Sequence, residues 1–331
     1  MQNPRCLILD EPSAFLDQNE RENLYSALKN FVASFGRMGI IITHSTAEAL
    51  KANTITLLKK GKLDAVFNSS ESYKNFAKEK ISSAKINGIT PFLSDCKNAK
   101  PAVCFKNICA KSKTKPAVLN ADFCCYYGTI CAINGTNEPS LTTFEDFVTG
   151  MYQGESKGNV TFFCNEKKFP FSAEQFTKRG NEILYKLNVA IVPSDRSFRA
   201  SNPNLTVSQM LCAHKKSGVK NQANSLIKKA NVNIEAQEKC SHLSGGMLQR
   251  LILERELSKN PSIIILCNPM QALDIEAQGL LTKRICELSK EGKSVLILGA
   301  EDVPLSICTE VYELDGGILR KSFSAFDLEK K

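Results

Sequence analysis

An internal repeat constrains this chain more than any other feature. The segment Leu7-Ile8-Leu9-Asp10-Glu11-Pro12-Ser13-Ala14-Phe15-Leu16-Asp17 has a second copy at Ile264-Ile265-Leu266-Cys267-Asn268-Pro269-Met270-Gln271-Ala272-Leu273-Asp274. Seven residues separate Asp10 from Asp17, and seven separate Cys267 from Asp274. A second apolar run, 39–43, ends at His44, which lies 34 residues after Asp10. Its counterpart, Ser294-Val295-Leu296-Ile297-Leu298, leads to Glu301, 34 residues after Cys267. Turn glycines follow at intervals of 51 residues (Gly61) and 50 residues (Gly317). Spacing kept over such a length means one structural unit used twice. Short apolar runs alternate with helical stretches, which predicts an α/β layer built on a parallel sheet.

Three segments follow from this pattern. Residues 1–65 read as the C-terminal part of a first domain. Residues 66–100, rich in Ser, Lys and Asn, read as a linker with one short helix near 73–80. Residues 101–328 read as a second, complete domain. The 43 Lys and Arg against 34 Asp and Glu give +9, and 43% of residues are apolar. These values exclude wholesale disorder and coiled coil. No apolar run approaches the ~20 residues that a membrane-spanning helix requires, and the first residues lack the pattern of a secretory signal. The excess lysine is scattered, with no basic stripe or nucleic-acid-binding motif, so no nucleic-acid partner is expected. The 13 cysteines form no C-x-x-C pair, and only three histidines are present. The expectation is reduced thiols acting as small apolar fillers, with no disulfide framework and no zinc site.

The strand ending in Asp10-Glu11-Pro12, the turn Ala14-Phe15-Leu16-Asp17 and the strand ending in Thr43-His44 resemble the Walker B motif, D-loop and H-loop of ABC-transporter ATPases. Leu243-Ser244-Gly245-Gly246-Met247-Leu248-Gln249-Arg250 resembles the family's signature. Singly, an acid or a histidine after a strand is an ordinary loop residue; the order and spacing carry the reading. The resemblance spans the chain apart from the linker. It implies a P-loop NTPase fold: an α/β core with a parallel sheet, a small antiparallel β subdomain and a helical subdomain. It also implies ATP and Mg²⁺ as cofactors. Asp10 would then hold the metal through water. Glu11 would polarise the attacking water as general base, and His44 would contact the γ-phosphate. Ser244, Gly245 and Gly246, with Gln249 beyond them and Asp17 of the D-loop, would bind nucleotide. Small residues at a helix N-terminus suit an anion, although Ser244 is equally a plain N-cap.

The second copy departs from the family's pattern. Its phosphate loop should follow Tyr127-Gly128-Thr129-Ile130-Cys131-Ala132-Ile133-Asn134, where G-x-x-x-x-G-K-[ST] requires Gly at 140 and Lys at 141. The chain has Ser140 and Leu141, with Glu138 and Pro139 inside the loop. Gly135, Asn137, Thr142 and Thr143 remain as candidate nucleotide-binding positions. Cys267 replaces the metal carboxylate, Asn268 the base and Glu301 the histidine. This copy is expected not to hydrolyse ATP with its own loop. In it, 132 residues separate Gly135 from Cys267, and 23 separate Ser244 from Cys267. Counted back from Asp10, both intervals fall before Met1. The expectation is therefore a missing N-terminal half of the first ATPase domain, holding its phosphate loop and signature.

Pro193-Ser194-Asp195-Arg196 stands where most such domains place a Gln-bearing loop. That segment, in the second of two fused domains, resembles importers of simple sugars and nucleosides. The resemblance implies an ATP-hydrolysing subunit on the cytoplasmic face of the inner membrane, beneath membrane permease subunits and served indirectly by an extracytoplasmic solute-binding protein. A simple sugar is the expected solute. A nucleoside importer and a non-catalytic remnant are the alternatives. A ribosome-acting tandem protein would carry a long charged arm between domains, and a DNA-repair ATPase a long coiled coil; neither pattern is present.

Overall fold

The computed structural model describes residues 4–10, 12, 18–43, 46–59, 61–83, 99–112, 114–135, 138–213, 219–271, 273, 275–300 and 302–324. The chain divides into two compact units, one of residues 1–87 with 272–280 and one of residues 88–271 with 281–331.

In the first unit, strands β1 (Cys6–Asp10) and β2 (Met38–Ile42) flank helix α1 (Gln18–Phe35). They pair in parallel with Cys6 opposite Met38 and Asp10 opposite Ile42, as a strand–helix–strand crossover requires. Tyr25 and Leu28, three residues apart on α1, are buried, the spacing that puts both on one helix face. A short helix α2 (Thr46–Ala49) precedes the hairpin β3 (Ile55–Lys59) and β4 (Lys62–Phe67). Helix α3 (Ser70–Ser83) follows. Tyr73 and Phe76, also three apart, pack their rings on Phe67. The first half of the stretch read as linker is thus an ordered helix; residues 84–98 lie outside the described residues.

The second unit is built on a ten-stranded sheet, β5 (Pro101–Lys111), β6 (Val118–Tyr126), β7 (Ile130–Asn134), β8 (Glu155–Cys164), β9 (Lys167–Ser172), β10 (Val189–Val192), β11 (Ile263–Cys267), β12 (Ser294–Leu298), β13 (Glu310–Asp315) and β14 (Ile318–Ser324). The order is β10-β11-β12-β7-β13-β14-β6-β5-β8-β9. The first five strands are parallel, and the β13–β14, β6–β5, β5–β8 and β8–β9 pairs are antiparallel. Every residue of β11 and β12 is buried, the condition of a central parallel strand covered on both faces. Helices α4 (Leu141–Val148), α5 (Ala173–Lys186) and α10 (Ile275–Lys290) alternate with strands. Helices α6 (Arg196–Arg199), α7 (Val207–Leu211), α8 (Val219–Lys229) and α9 (Gly245–Leu257) form a helical group between β10 and β11. This is the α/β fold expected, with its parallel core, antiparallel extension and helical subdomain.

Phenylalanine dominates the core between α4, α5 and the antiparallel strands. The Phe105 and Phe123 rings stack at 4.8 Å, and Phe147 meets Phe176 edge-on at 5.5 Å. Gly150, just past α4, has φ +72°, and a Cβ there would lie 2.6 Å from the carbonyl carbon of Gly180. Gly180 sits where α5 kinks at Arg179, and its own Cβ would meet the Gly150 Cα at 2.5 Å. Two backbones touch here without side chains. Gly150→Ala is expected to cost about 2–4 kcal/mol through positive-φ strain and overpacking. A lower denaturant midpoint at unchanged m-value would report it.

Two expectations are corrected by the sheet. Cys104 and Cys124 are not free thiols: they stand opposite each other on β5 and β6 and are joined by a disulfide, with Cα atoms 4.1 Å apart. Their separation of 20 residues gives no sign of this; the hairpin register brings them together. The second correction concerns the H-loop position. Asp10 pairs with Ile42, but Cys267 pairs with Leu298. The connection in the second copy is one residue shorter, so Ala300, not Glu301, corresponds to His44. Ala300 is buried and offers no donor side chain.

Candidate functional site

Of the first-copy site residues, Asp10 is the one that the structure describes. Asp10 is the last residue of β1 and is exposed. An exposed carboxylate at a strand end is the donor chemistry that a hard cation takes, so this position fits Mg²⁺. Glu11, His44 and Asp17 lie outside the described residues. Thr43 Oγ1 donates to Glu48 Oε2 at 2.7 Å, tying the end of β2 to α2.

Ser244 is the N-cap of α9, and its Oγ accepts the Met247 N–H at 3.3 Å. Ser244 and Gly245 are exposed and Gly246 is half-buried. The first turn of a helix has N–H groups without helical acceptors, so this end presents donors and a positive dipole end to solvent. Gln249 lies one turn deeper and faces inward. It is 2% exposed, and its Nε2 donates to the Pro269 carbonyl. It anchors α9 to the loop after β11, and the nucleotide-contacting role read from the sequence is corrected for its side chain.

The second-copy loop runs from β7 into α4, the strand–loop–helix arrangement of a phosphate loop. Gly135 has φ +131°, and a Cβ there would lie 3.1 Å from Leu314, so the chain's exit from β7 needs glycine. Asn137 lies outside the described residues. Leu141, in the lysine position, is buried. Thr142 Oγ1 donates to the Pro139 carbonyl at 3.2 Å. Thr143 is fully buried, and its Oγ1 donates to the Pro116 carbonyl at 2.7 Å. Thr143 is therefore a packing residue, and its reading as a nucleotide ligand is corrected.

Glu145 and Asp146, which no motif marks, join Lys115, Ser194 and Arg199 in an internal charge network. Glu145 Oε1 accepts from the Ser194 N–H at 3.0 Å and Oγ at 2.8 Å. Asp146 pairs with Lys115 and with Arg199, each at 2.6 Å. Arg196, 7% exposed, donates to the Asn268 carbonyl at 2.6 Å, and burial pulls its guanidinium down to about 10. Two acids inside the apolar run Phe144-Glu145-Asp146-Phe147-Val148 were the available signal, because buried charges are kept only when paired.

Cys267 completes the departure. It is fully buried, and burial next to Glu145 pushes its thiol well up. A protonated, inaccessible thiol does not fit Mg²⁺, which takes oxygen ligands. Burial likewise pushes Cys308 up to about 12. Under native alkylation at pH 8, Cys6, which is exposed, is expected to react at least about tenfold faster than Cys267 or Cys308, since the thiolate is the nucleophile. Peptide mass spectrometry over a time course would check this; equal rates would contradict it.

With this geometry in place, comparison with known proteins gives a consistent result. The family model described as ABC transporter matches residues 118–271. Residues 118–271 are an ABC transporter ATP-binding domain. The chain is 26% identical to the probable riboflavin import ATP-binding protein of Treponema pallidum, over 96% of this chain and 61% of that one. It is 26% identical to a xylose import ATP-binding protein of Photobacterium profundum and 24% identical to a nucleoside import ATP-binding protein of Lactococcus lactis, over 90% and 89% of this chain. The chain spans about 60% of the length of these curated relatives. Two solved structures, an ATP-binding subunit of an ABC transporter and a nucleotide-free ATP-binding cassette, superpose with TM-scores of 0.52. They are 18% and 17% identical and cover 69% and 70% of this chain. They establish the fold of the ATP-binding domain. No described helix is long and apolar enough to cross a membrane.

Proposed function

We propose that this chain is part of an ATP-hydrolysing subunit that powers ABC-type import of a simple sugar. The observation that carries the reading is the asymmetry of the repeat. One copy keeps Asp10, Glu11 and His44; the other keeps the exposed signature Ser244, Gly245 and Gly246 on α9 but has lost its cation, metal ligand and base. On the first copy Asp10 fits Mg²⁺ and Glu11 takes the proton of the attacking water; on the second, the signature's donors suit a γ-phosphate. Asp17, in the D-loop sequence, is a further nucleotide-binding candidate. When bound, Mg²⁺ would neutralise the phosphate charge. The phosphate loop that serves Asp10 and Glu11 would come from a segment outside this chain, which spans about 60% of the length of its curated relatives.

The first copy's sheet supports the same partner. Ile8, Ile40 and Ile42 are 64%, 41% and 52% exposed, whereas their counterparts on β11 and β12 are buried. In the second unit β11 is flanked by β10 and β12 by β7. A segment supplying strands of these two kinds would cover the edges of β1 and β2. The chain alone should therefore release no phosphate from Mg²⁺-ATP. Turnover by the purified chain that Glu11→Gln abolishes would overturn this part.

The other partners are membrane permease subunits, with a solute-binding protein acting through them. Attachment is peripheral, at the cytoplasmic face of the inner membrane. Sugar import is favoured by the names of several relatives. Riboflavin or nucleoside import is the second reading, favoured by the Treponema pallidum and Lactococcus lactis relatives. Co-expression with the permease genes of the same locus should move the protein to the membrane fraction. Uptake assays with labelled ribose, galactose, xylose, nucleosides and riboflavin would then decide the solute. Equal membrane recovery without any permease would contradict the proposed attachment.

A further inference from the structure

The loop between β7 and α4 holds a negative charge of its own. Glu138 Oε1 accepts from the Ser140 N–H at 3.3 Å and from the Ser140 hydroxyl at 2.9 Å. Its Oε2 accepts from the Gly316 N–H at 3.1 Å, in the turn between β13 and β14. The Glu138 N–H donates to the Gly135 carbonyl, and the Leu141 N–H to the Glu138 carbonyl, so the backbone of Glu138 is held on both sides. Ser140 is 1% exposed, so its donors face the carboxylate and not solvent.

These are the donors a phosphate would need. A phosphate loop holds its anion with backbone N–H groups at the start of a helix, a hydroxyl and a lysine. Here the lysine position is Leu141, packed into the core, and Pro139 supplies no N–H. A carboxylate is an acceptor-only anion, and hydrogen bonds to it are charge-assisted. We propose that Glu138 is a built-in anion that occupies the phosphate position of the second loop, clamps it to the β13–β14 turn, and keeps that loop closed to nucleotide phosphates. The proposal rests on reading 135–141 as the phosphate-loop position. It goes beyond loss of the lysine, because the site is not merely weakened but filled from within. An incoming phosphate has to break three hydrogen bonds and displace a like charge.

The test uses the purified full chain, inorganic pyrophosphate as probe and thermal unfolding as readout. A ligand that binds only the folded state raises the midpoint in a saturable way. Wild type should show no saturable rise across a millimolar titration. Glu138→Ala should melt lower in buffer, and pyrophosphate should restore its midpoint by taking the vacated donors. Its half-saturation should lie at least about tenfold below the highest pyrophosphate concentration at which wild type still shows no rise, one tenfold step being about 1.4 kcal/mol. Glu138→Gln keeps the shape and an acceptor oxygen without the charge. It serves if Glu138→Ala does not fold, and it should also respond to pyrophosphate more strongly than wild type. Equal responses of wild type and variant, whether both present or both absent, would overturn the proposal. Such a failure is separate from failure of the transport reading, which is measured by permease-dependent membrane recovery and uptake.

Discussion

Replacing Ser244 with arginine is expected to abolish ATP turnover by the completed subunit, the chain joined to the segment that supplies the first copy's phosphate loop. Ser244 caps α9 at an exposed position, so a larger side chain meets no steric clash there, and the lost cap costs about 0.5–2 kcal/mol. The same side chain would stand between the signature's donors and the γ-phosphate. Losing one positioned donor in a preorganised anion site costs about 10²–10³ in rate, and blocking the whole helix end should cost at least that. The control is Leu141→Ala. Leu141 is buried, so its truncation should cost about 2–5 kcal/mol in stability while leaving turnover per folded molecule nearly unchanged. Steady-state phosphate release, normalised to folded protein, separates the two. Equal loss of turnover in both variants would mean that the two sites are coupled in catalysis.

The largest stability effect is expected at Phe147. Its side chain is fully buried in α4 and meets Phe105, Tyr152 and Phe176 with ring centroids 6.5, 6.0 and 5.5 Å away. It joins α4, α5 and the antiparallel strands into one core. Phe147→Ala should cost about 3–5 kcal/mol, the transfer and cavity terms together, and edge-to-face aromatic contacts add to the loss. Denaturant titration of the chain would show the midpoint falling at unchanged slope. A loss below about 1 kcal/mol would mean that the neighbouring rings collapse into the space.

The architecture was legible because the repeat fixed spacing, and parallel strands buried on both faces read as unbroken apolar runs. Ile263–Cys267 and Ser294–Leu298 could be located to within a residue on that ground. Where spacing alone was used, a one-residue difference in the connection went unseen, and the H-loop counterpart moved from Glu301 to Ala300. The Cys104–Cys124 pair was invisible because register, not separation, sets which residues face each other across a hairpin. Of the candidate ligands, Ser244 and Gly245 lie at the surface as a binding role needs. Thr143 and Gln249 turn inward to backbone carbonyls, and nothing in a motif distinguishes an inward from an outward side chain on a short helix. Glu138 was legible as a misfit in the loop, but its partner Gly316 lies 178 residues away, and only the fold brings the two together.

The central claim is that the repeat makes one working site and one closed site. It is tested most directly by counting nucleotides trapped per completed subunit. Mg²⁺-ATP with orthovanadate, followed by removal of free nucleotide and quantification of what remains, gives the stoichiometry. The account predicts one trapped nucleotide per subunit, falling to none with Ser244→Arg and unchanged with Leu141→Ala. Two trapped nucleotides per subunit would contradict it.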